Sequence, residues 1–127
     1  MSLENGEVKK LPVIVQAIQD SVRGTHANIV VHISRRPLEK NVLRAARAVF
    51  RMHKLDSEKA VLIYINRRTR KFAILSTNET VTRTGVDYFK KLASFLEEDL
   101  HATWFDNAVS MTVRSLGETL KKHFPAI

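Results

Sequence analysis

Two short runs, AVLIYIN (60–66) and KFAILS (71–76), stand on either side of Arg67-Arg68-Thr69-Arg70. Both are rich in β-branched and aromatic residues, and the polar link between them leaves room only for a reversal. The pattern predicts a strand hairpin. A third run, NIVVHIS (28–34), is almost continuously apolar, as in a strand covered on both faces. In it Ile29, Val31 and Ile33 point to one side and Val30 to the other.

Helical spacing fills most of the remaining chain. Ile14, Ala17, Ile18, Ser21 and Val22 mark a first helix, opened by Pro12 and ended near Gly24. Leu43, Ala46, Val49 and Phe50 form the apolar stripe of a second, with Pro37 as its candidate first residue and His53 as its end. A third fits 86–100, through Val86, Phe89, Leu92, Ala93, Leu96 and Leu100. A fourth fits 105–123, through Phe105, Val109, Val113, Leu116 and Leu120. The polar stretch before Gly85 predicts no element beyond a short extended piece at 79–82, and residues 1–10 read as a frayed start. A strand–helix–strand unit makes the first two strands parallel, and the tight link makes the last pair antiparallel. The expectation is an α/β fold: a mixed sheet of three to four strands with about four helices packed on both faces. At 127 residues it forms one domain, 1–127, with a substantial core.

This topology defines two rims. One gathers Ser34, Arg35 and the hairpin tip. The other gathers 25–28, 53–59 and 76–79. Clefts of open α/β sheets form at such rims. Composition narrows the chemistry. With no cysteine, disulfides, thiolate catalysis and Cys-ligated metals are excluded. No apolar run approaches the roughly 18 residues of a membrane span. The polar start lacks the apolar centre of a secretory signal, so the expected location is cytoplasmic. The net charge of +8 favours polyanionic partners.

In order and spacing the chain resembles the TPM domain family, in its small bacterial branch. The resemblance rests on Thr25-His26-Ala27-Asn28-Ile29-Val30-Val31-His32-Ile33, on Phe50-Arg51-Met52-His53-Lys54, and on Ala60-Val61-Leu62-Ile63-Tyr64. It continues with Arg70-Lys71-Phe72-Ala73-Ile74-Leu75 and closes with Leu116-Gly117-Glu118, Leu120 and His123-Phe124-Pro125, so that it covers about 14–125. It implies a mixed sheet sandwiched by helices. It also implies one of three roles known in the family: acid phosphatase, metal binding, or accessory domain at a membrane. The chain departs from the family pattern on one rim. Ala27-Asn28 stands for Gly-Glu, Lys59-Ala60 for Asn-Gly, and the loop 76–83 lacks the family's glycines and its Asp.

No nucleophile elbow and no P-loop occurs. A metal site on the departing rim would use His53, Asp56 and Glu79, with Glu58 and His26 nearby, to hold a divalent cation such as Ca or Mg. A phosphatase-like hydrolase built there is the alternative reading. His53 also suits the end of the second helix, where a cation meets the helix dipole. His32 reads as a hydrogen-bonded sheet histidine, and Trp104 as a core residue. The sharpest surface feature is basic: Lys40, Arg44, Arg47 and Arg51 repeat at helical spacing, and Arg67 and Arg68 extend the set from the hairpin tip. It lacks the aromatic interleaving of single-strand binders and any groove-reading motif, which makes nucleic acid the third choice. The leading reading is a non-catalytic binding or accessory module that docks an acidic protein or an anionic membrane surface through this basic helix face.

Overall fold

A computed structural model of the chain describes residues 2–3, 12–55 and 59–126. In chain order the elements are β1 (Ser2–Leu3), α1 (Pro12–Val22), β2 (Asn28–Ser34), α2 (Val42–Met52), β3 (Ala60–Asn66), β4 (Phe72–Ser76), α3 (Asn78–Thr84), α4 (Val86–Ala102) and α5 (Phe105–His123). The fold is α/β. Its four strands lie in the order β1-β2-β3-β4. β2 and β3 pair in parallel from Asn28↔Ala60 to Ser34↔Asn66, while β3 and β4 pair antiparallel from Val61↔Ser76 to Ile65↔Phe72. β1 pairs antiparallel with β2, so Ser2 and Leu3 belong to the sheet and not to a frayed start. The rest of 1–10 lies outside the described residues.

Strand alternation divides the core in two. Ile29, Val31, Ile33, Val61, Ile63 and Ile65 face α1, α4 and α5. Val30, Leu62 and Tyr64 face α2 and pack with its Ala46 and Val49 and with Leu55 just past its end. Helices therefore pack on both faces, with α1, α4 and α5 on one and α2 on the other, and α3 packed beside α4 and α5. β3 is buried along its whole length, consistent with a central strand under two helical layers.

Two expectations are corrected. The second helix does not begin at Pro37. It begins at Val42, after Asn41, whose side chain accepts a bond from the Arg44 N–H at 3.0 Å. Residues 35–41 are held in a link because Glu39 reaches back to the sheet, as described below. The stretch 79–82 is helical, inside α3. Thr77 and Thr80 are buried and share a hydroxyl hydrogen bond of 2.8 Å, and Gly85, at φ 93, stops the helix. Three threonines in seven residues conceal this helix, because their local preference is extended and tertiary burial overrides it.

α1 lies against α5 at Gly117. Ser21 is buried there, with its hydroxyl donating to the Val113 carbonyl at 3.2 Å. A Cβ at position 117 would stand 2.7 Å from Ser21 Oγ and 2.9 Å from Ser21 Cα. Only glycine permits this approach. Gly117→Ala is expected to lower stability by about 1–3 kcal/mol. Adding Ser21→Gly should recover part of that loss. Urea unfolding of the single and double variants checks both expectations.

Candidate functional site

The parallel register places His32 beside Tyr64 and Ser34 beside Asn66, all on the face toward α2. That face is apolar at Val30 and Leu62 and polar where β2 and β3 end. The His32 and Tyr64 rings stack, with centroids 5.0 Å apart and planes within 7°. Glu39 folds over this end of the sheet and is 8% exposed. Its Oε2 accepts from the Tyr64 hydroxyl at 2.5 Å and its Oε1 from Asn66 Nδ2 at 2.9 Å. The same Nδ2 donates to the Arg36 carbonyl at 2.8 Å. Asn66 Oδ1 accepts from the Arg68 and Thr69 N–H groups at 2.8 and 3.0 Å. One buried amide thus ties the 35–41 link to the hairpin tip.

Burial pushes the Glu39 carboxyl upward, but hydrogen bonds from Tyr64, Asn66 and Ser34 outweigh it and hold the group below its usual range. Burial, with the Glu39 carboxylate, raises the Tyr64 phenol. Burial also pushes His32 down to about 4, so its imidazole is neutral at neutral pH. The buried charge is held by neutral donors, and among the described residues it forms no ion pair.

This network fixes the link, and the link presents basic groups. Glu39 is the only acidic residue between Arg35 and Lys54. It is also turned inward, while Arg35, Arg36, Leu38 and Lys40 are exposed. A groove of about 420 Å³ lies where the link meets α2, lined by Arg36, Leu38, Lys40, Asn41 and Arg44 above Glu39. Arg44, Arg47 and Arg51 continue the exposed stripe along α2. No acidic residue stands in the first turn of α2, so the positive end of its dipole adds to the same field. Between described residues ion pairs join Arg67 to Asp106, Arg114 to Asp20 and Lys121 to Glu118, and none of these involves the stripe.

The hairpin arginines are not all part of this face. Arg67 pairs with Asp106 at 3.3 Å and lies over the Phe105 ring at 4.8 Å, so it clamps the start of α5 on the opposite layer. The Arg70 guanidinium donates to the Leu100 carbonyl at the end of α4. Arg68 is exposed at the tip, at the same end of the sheet as Arg36. Arg44, Arg47 and Arg51 lie exposed along α2, whereas Lys40 precedes the helix, in the link, and lines the groove together with Arg44. Trp104 is not a core residue: it precedes α5 at the surface, beside the Phe105 that Arg67 covers.

At the other rim His53 is the C-cap of α2: its N–H donates to the Val49 carbonyl, and the following Lys54 N–H to that of Arg51, each at 3.0 Å. Glu79 is exposed in the first turn of α3. Asp56 and Glu58 lie outside the described residues. Among the described residues no group of three His, Asp or Glu side chains gathers to hold a cation. Thr25, on the same rim, joins the end of α1 to the end of α5: its hydroxyl lies 2.7 Å from the Phe124 carbonyl and 3.1 Å from that of Leu120.

No family model matches the chain, and no curated protein matches it in sequence. Among solved structures it is similar to the BA42 protein from the psychrophilic bacterium Bizionia argentinensis sp. nov., determined by NMR. The two share 26% identity at a TM-score of 0.78, over 88% of this chain and 79% of that one. The likeness supports the α/β arrangement described above.

Sequence reasoning did not find the network of Glu39, Tyr64 and Asn66. A signal was present. His32 and Ser34 alternate in phase with Tyr64 and Asn66 at matching ends of two predicted strands, so one face of the sheet had to turn polar. Such a face needs a buried partner.

Two outcomes follow for stability. Asn66→Ala should cost about 2–4 kcal/mol, because it leaves the Glu39 carboxylate and the Arg36 carbonyl short of a donor. His32 has its folded value near 4 and an ordinary value of 6.5. Between these the unfolded chain binds more protons, so stability falls as pH drops through that window and levels off below it. The loss assigned to this group is up to about 3 kcal/mol. His32→Gln should flatten the fall between pH 6.5 and 4, measured by urea titration at a series of pH values.

Proposed function

We propose that this chain is a TPM-like, non-catalytic binding module that docks an anionic partner through the α2 face and the link before it. One observation carries the reading: among the described residues no ion pair compensates the basic stripe. Arg44, Arg47 and Arg51 stand on α2 at spacings that bring like charges together, and Lys40 lines the same groove as Arg44. Arg44 stands at the positive end of the α2 dipole, where a cation is disfavoured. α2 has no acidic residue, and the single acid of the region is buried in the sheet. Such an arrangement costs folding stability, and an external anion offsets that cost. The hydrolytic alternative, with His53, Asp56, Glu79 and a divalent cation, has no comparable support among the described residues.

The test uses two probes, poly-L-glutamate and phospholipid vesicles with an anionic component, each titrated at rising salt. Arg44→Glu with Arg47→Glu is expected to weaken binding at least tenfold. The native complex should weaken steeply between low and physiological salt. The same double variant should be as stable as the native protein, or more stable by about 0.2–1 kcal/mol, since it relieves repulsion. Lys90→Glu with Lys91→Glu makes the same charge change on α4, in the opposite layer, and should leave binding within twofold. Equal losses from both pairs, or no binding to either probe, would overturn the reading.

A further inference from the structure

We propose that the end of the sheet where β2 and β3 finish is a bilayer-docking edge, with Leu38 and Trp104 seated in the interfacial layer and Arg36, Lys40 and Arg68 on lipid phosphates. This rests on the reading that the domain docks an anionic partner, and it commits that partner to a phospholipid surface.

Leu38 and Trp104 are the most exposed of the large apolar side chains described, at 84% and 81%. Neither is required by its local structure. Leu38 lies in the link held by Glu39 and turns outward. Trp104 occupies the N-cap of α5 and makes no side-chain cap bond, at a position that favours Ser, Thr, Asp or Asn.

The two belong to opposite helical layers yet stand at one end of the molecule. The link is joined to the hairpin by Asn66 Nδ2 on the Arg36 carbonyl at 2.8 Å and by the Arg67 N–H on the Ser34 carbonyl at 2.8 Å. The hairpin is joined to the α4–α5 connection by Arg67 on Phe105 and Asp106, and by Arg70 on the Leu100 carbonyl. A partner that touches both Leu38 and Trp104 must therefore span the whole thickness of the domain.

On the link and the hairpin tip the exposed charge has one sign. Arg36, Lys40 and Arg68 are exposed and form no ion pair among the described residues. Of the acids near this edge, Glu39 is buried and Asp106 is held by Arg67. Glu97, Glu98 and Asp99 lie in the last turns of α4, behind Trp104, where Arg70 and Lys71 line a groove with Glu97. Two separated apolar anchors around a basic centre match a broad, anionic, apolar-beneath-polar surface. A bilayer has that make-up, and tryptophan favours its headgroup level. Nucleic acid offers no counterpart for the leucine. An acidic protein would need two apolar pockets set apart by the same span. Among the described residues no helix is long and apolar enough to cross a membrane, so the attachment proposed is peripheral.

Trp104 is the only tryptophan, so its emission reports directly on the edge. The full chain is titrated with vesicles of phosphatidylcholine alone and of phosphatidylcholine with phosphatidylglycerol, at low salt. The expected result is a blue shift of emission with the anionic vesicles only, and quenching by lipids brominated in the upper acyl chain. In co-sedimentation, Leu38→Ser and Trp104→Ser should each weaken binding about tenfold. Arg36→Glu with Lys40→Glu should reduce it to the level of neutral vesicles, with far-ultraviolet dichroism unchanged in all variants. Millimolar glycerol 3-phosphate should neither shift emission nor compete. If it does both, the groove takes a free phosphate and the bilayer proposal falls. Salt-sensitive vesicle binding with unshifted Trp104 emission and no effect of Leu38→Ser would also overturn the edge, while leaving docking by the α2 face intact. Binding of poly-L-glutamate without vesicle binding would do the same. Failure of both probes would remove the docking reading and this proposal together.

Discussion

Much of the architecture at one end of the domain depends on a single buried amide. Asn66 is the last residue of the central strand and is fully enclosed. Its oxygen shapes the turn that follows, and its nitrogen holds both the carbonyl of Arg36 and the carboxylate of Glu39. Glu39 in turn prevents α2 from beginning at Pro37 and gives the link its defined path. A buried carboxylate without a cation is tolerable only if its lone pairs are taken up by well-placed donors. Tyr64 and Asn66 supply them. The order of the link, and of the side chains it exposes, follows from this constraint and not from contacts among the exposed groups themselves.

The consequence is a separation of roles between the two sides of a short segment. Inside, neutral donors bind one acid. Outside, Arg35, Arg36, Lys40, Arg44, Arg47 and Arg51 share a stretch of sequence whose one acid is Glu39. Folding removes from the surface the one acid of this stretch, and with it the nearest charge in sequence that would oppose the field. Compensation on the opposite layer is different in kind. Arg67 pairs with Asp106 and Arg114 with Asp20, so those arginines contribute to cohesion and little to an external field. A count of basic residues does not distinguish the two groups, whereas the ion-pair pattern does.

The hairpin, the parallel β2–β3 pair and the two long C-terminal helices are legible in the sequence, because period and burial agree in each. The strands NIVVHIS and AVLIYIN alternate in register, and both helical layers follow from that alternation. The start of α2 is not legible. Pro37 has a good local claim to a helix start, and only the distant pull of Tyr64 and Asn66 on Glu39 defeats it. α3 is hidden for a related reason, since Thr80 gains from burial what it lacks in helical preference. Hydrophobicity alone places Trp104 in the core. Its exposure reflects position, at a helix start beside the hairpin, and not residue type. The stripe on α2 is legible as a pattern, while the use of Arg67 to clamp α5 needs the spatial relation between the hairpin and the α4–α5 connection.

The pairing of α1 with α5 has a consequence for how the chain reaches this state. Ser21 bonds to a carbonyl 92 positions away, and Thr25 to one 99 positions away. The first helix therefore has no permanent neighbour in α5 until almost the entire chain is available. Ile14, Ala17 and Ile18, fully enclosed at the end, must spend the interval without that cover. Contacts of such long sequence separation slow folding, because loop closure comes before any gain from packing. During synthesis the apolar face of α1 emerges well before the α5 that covers it, and in that interval it is open to chaperone binding.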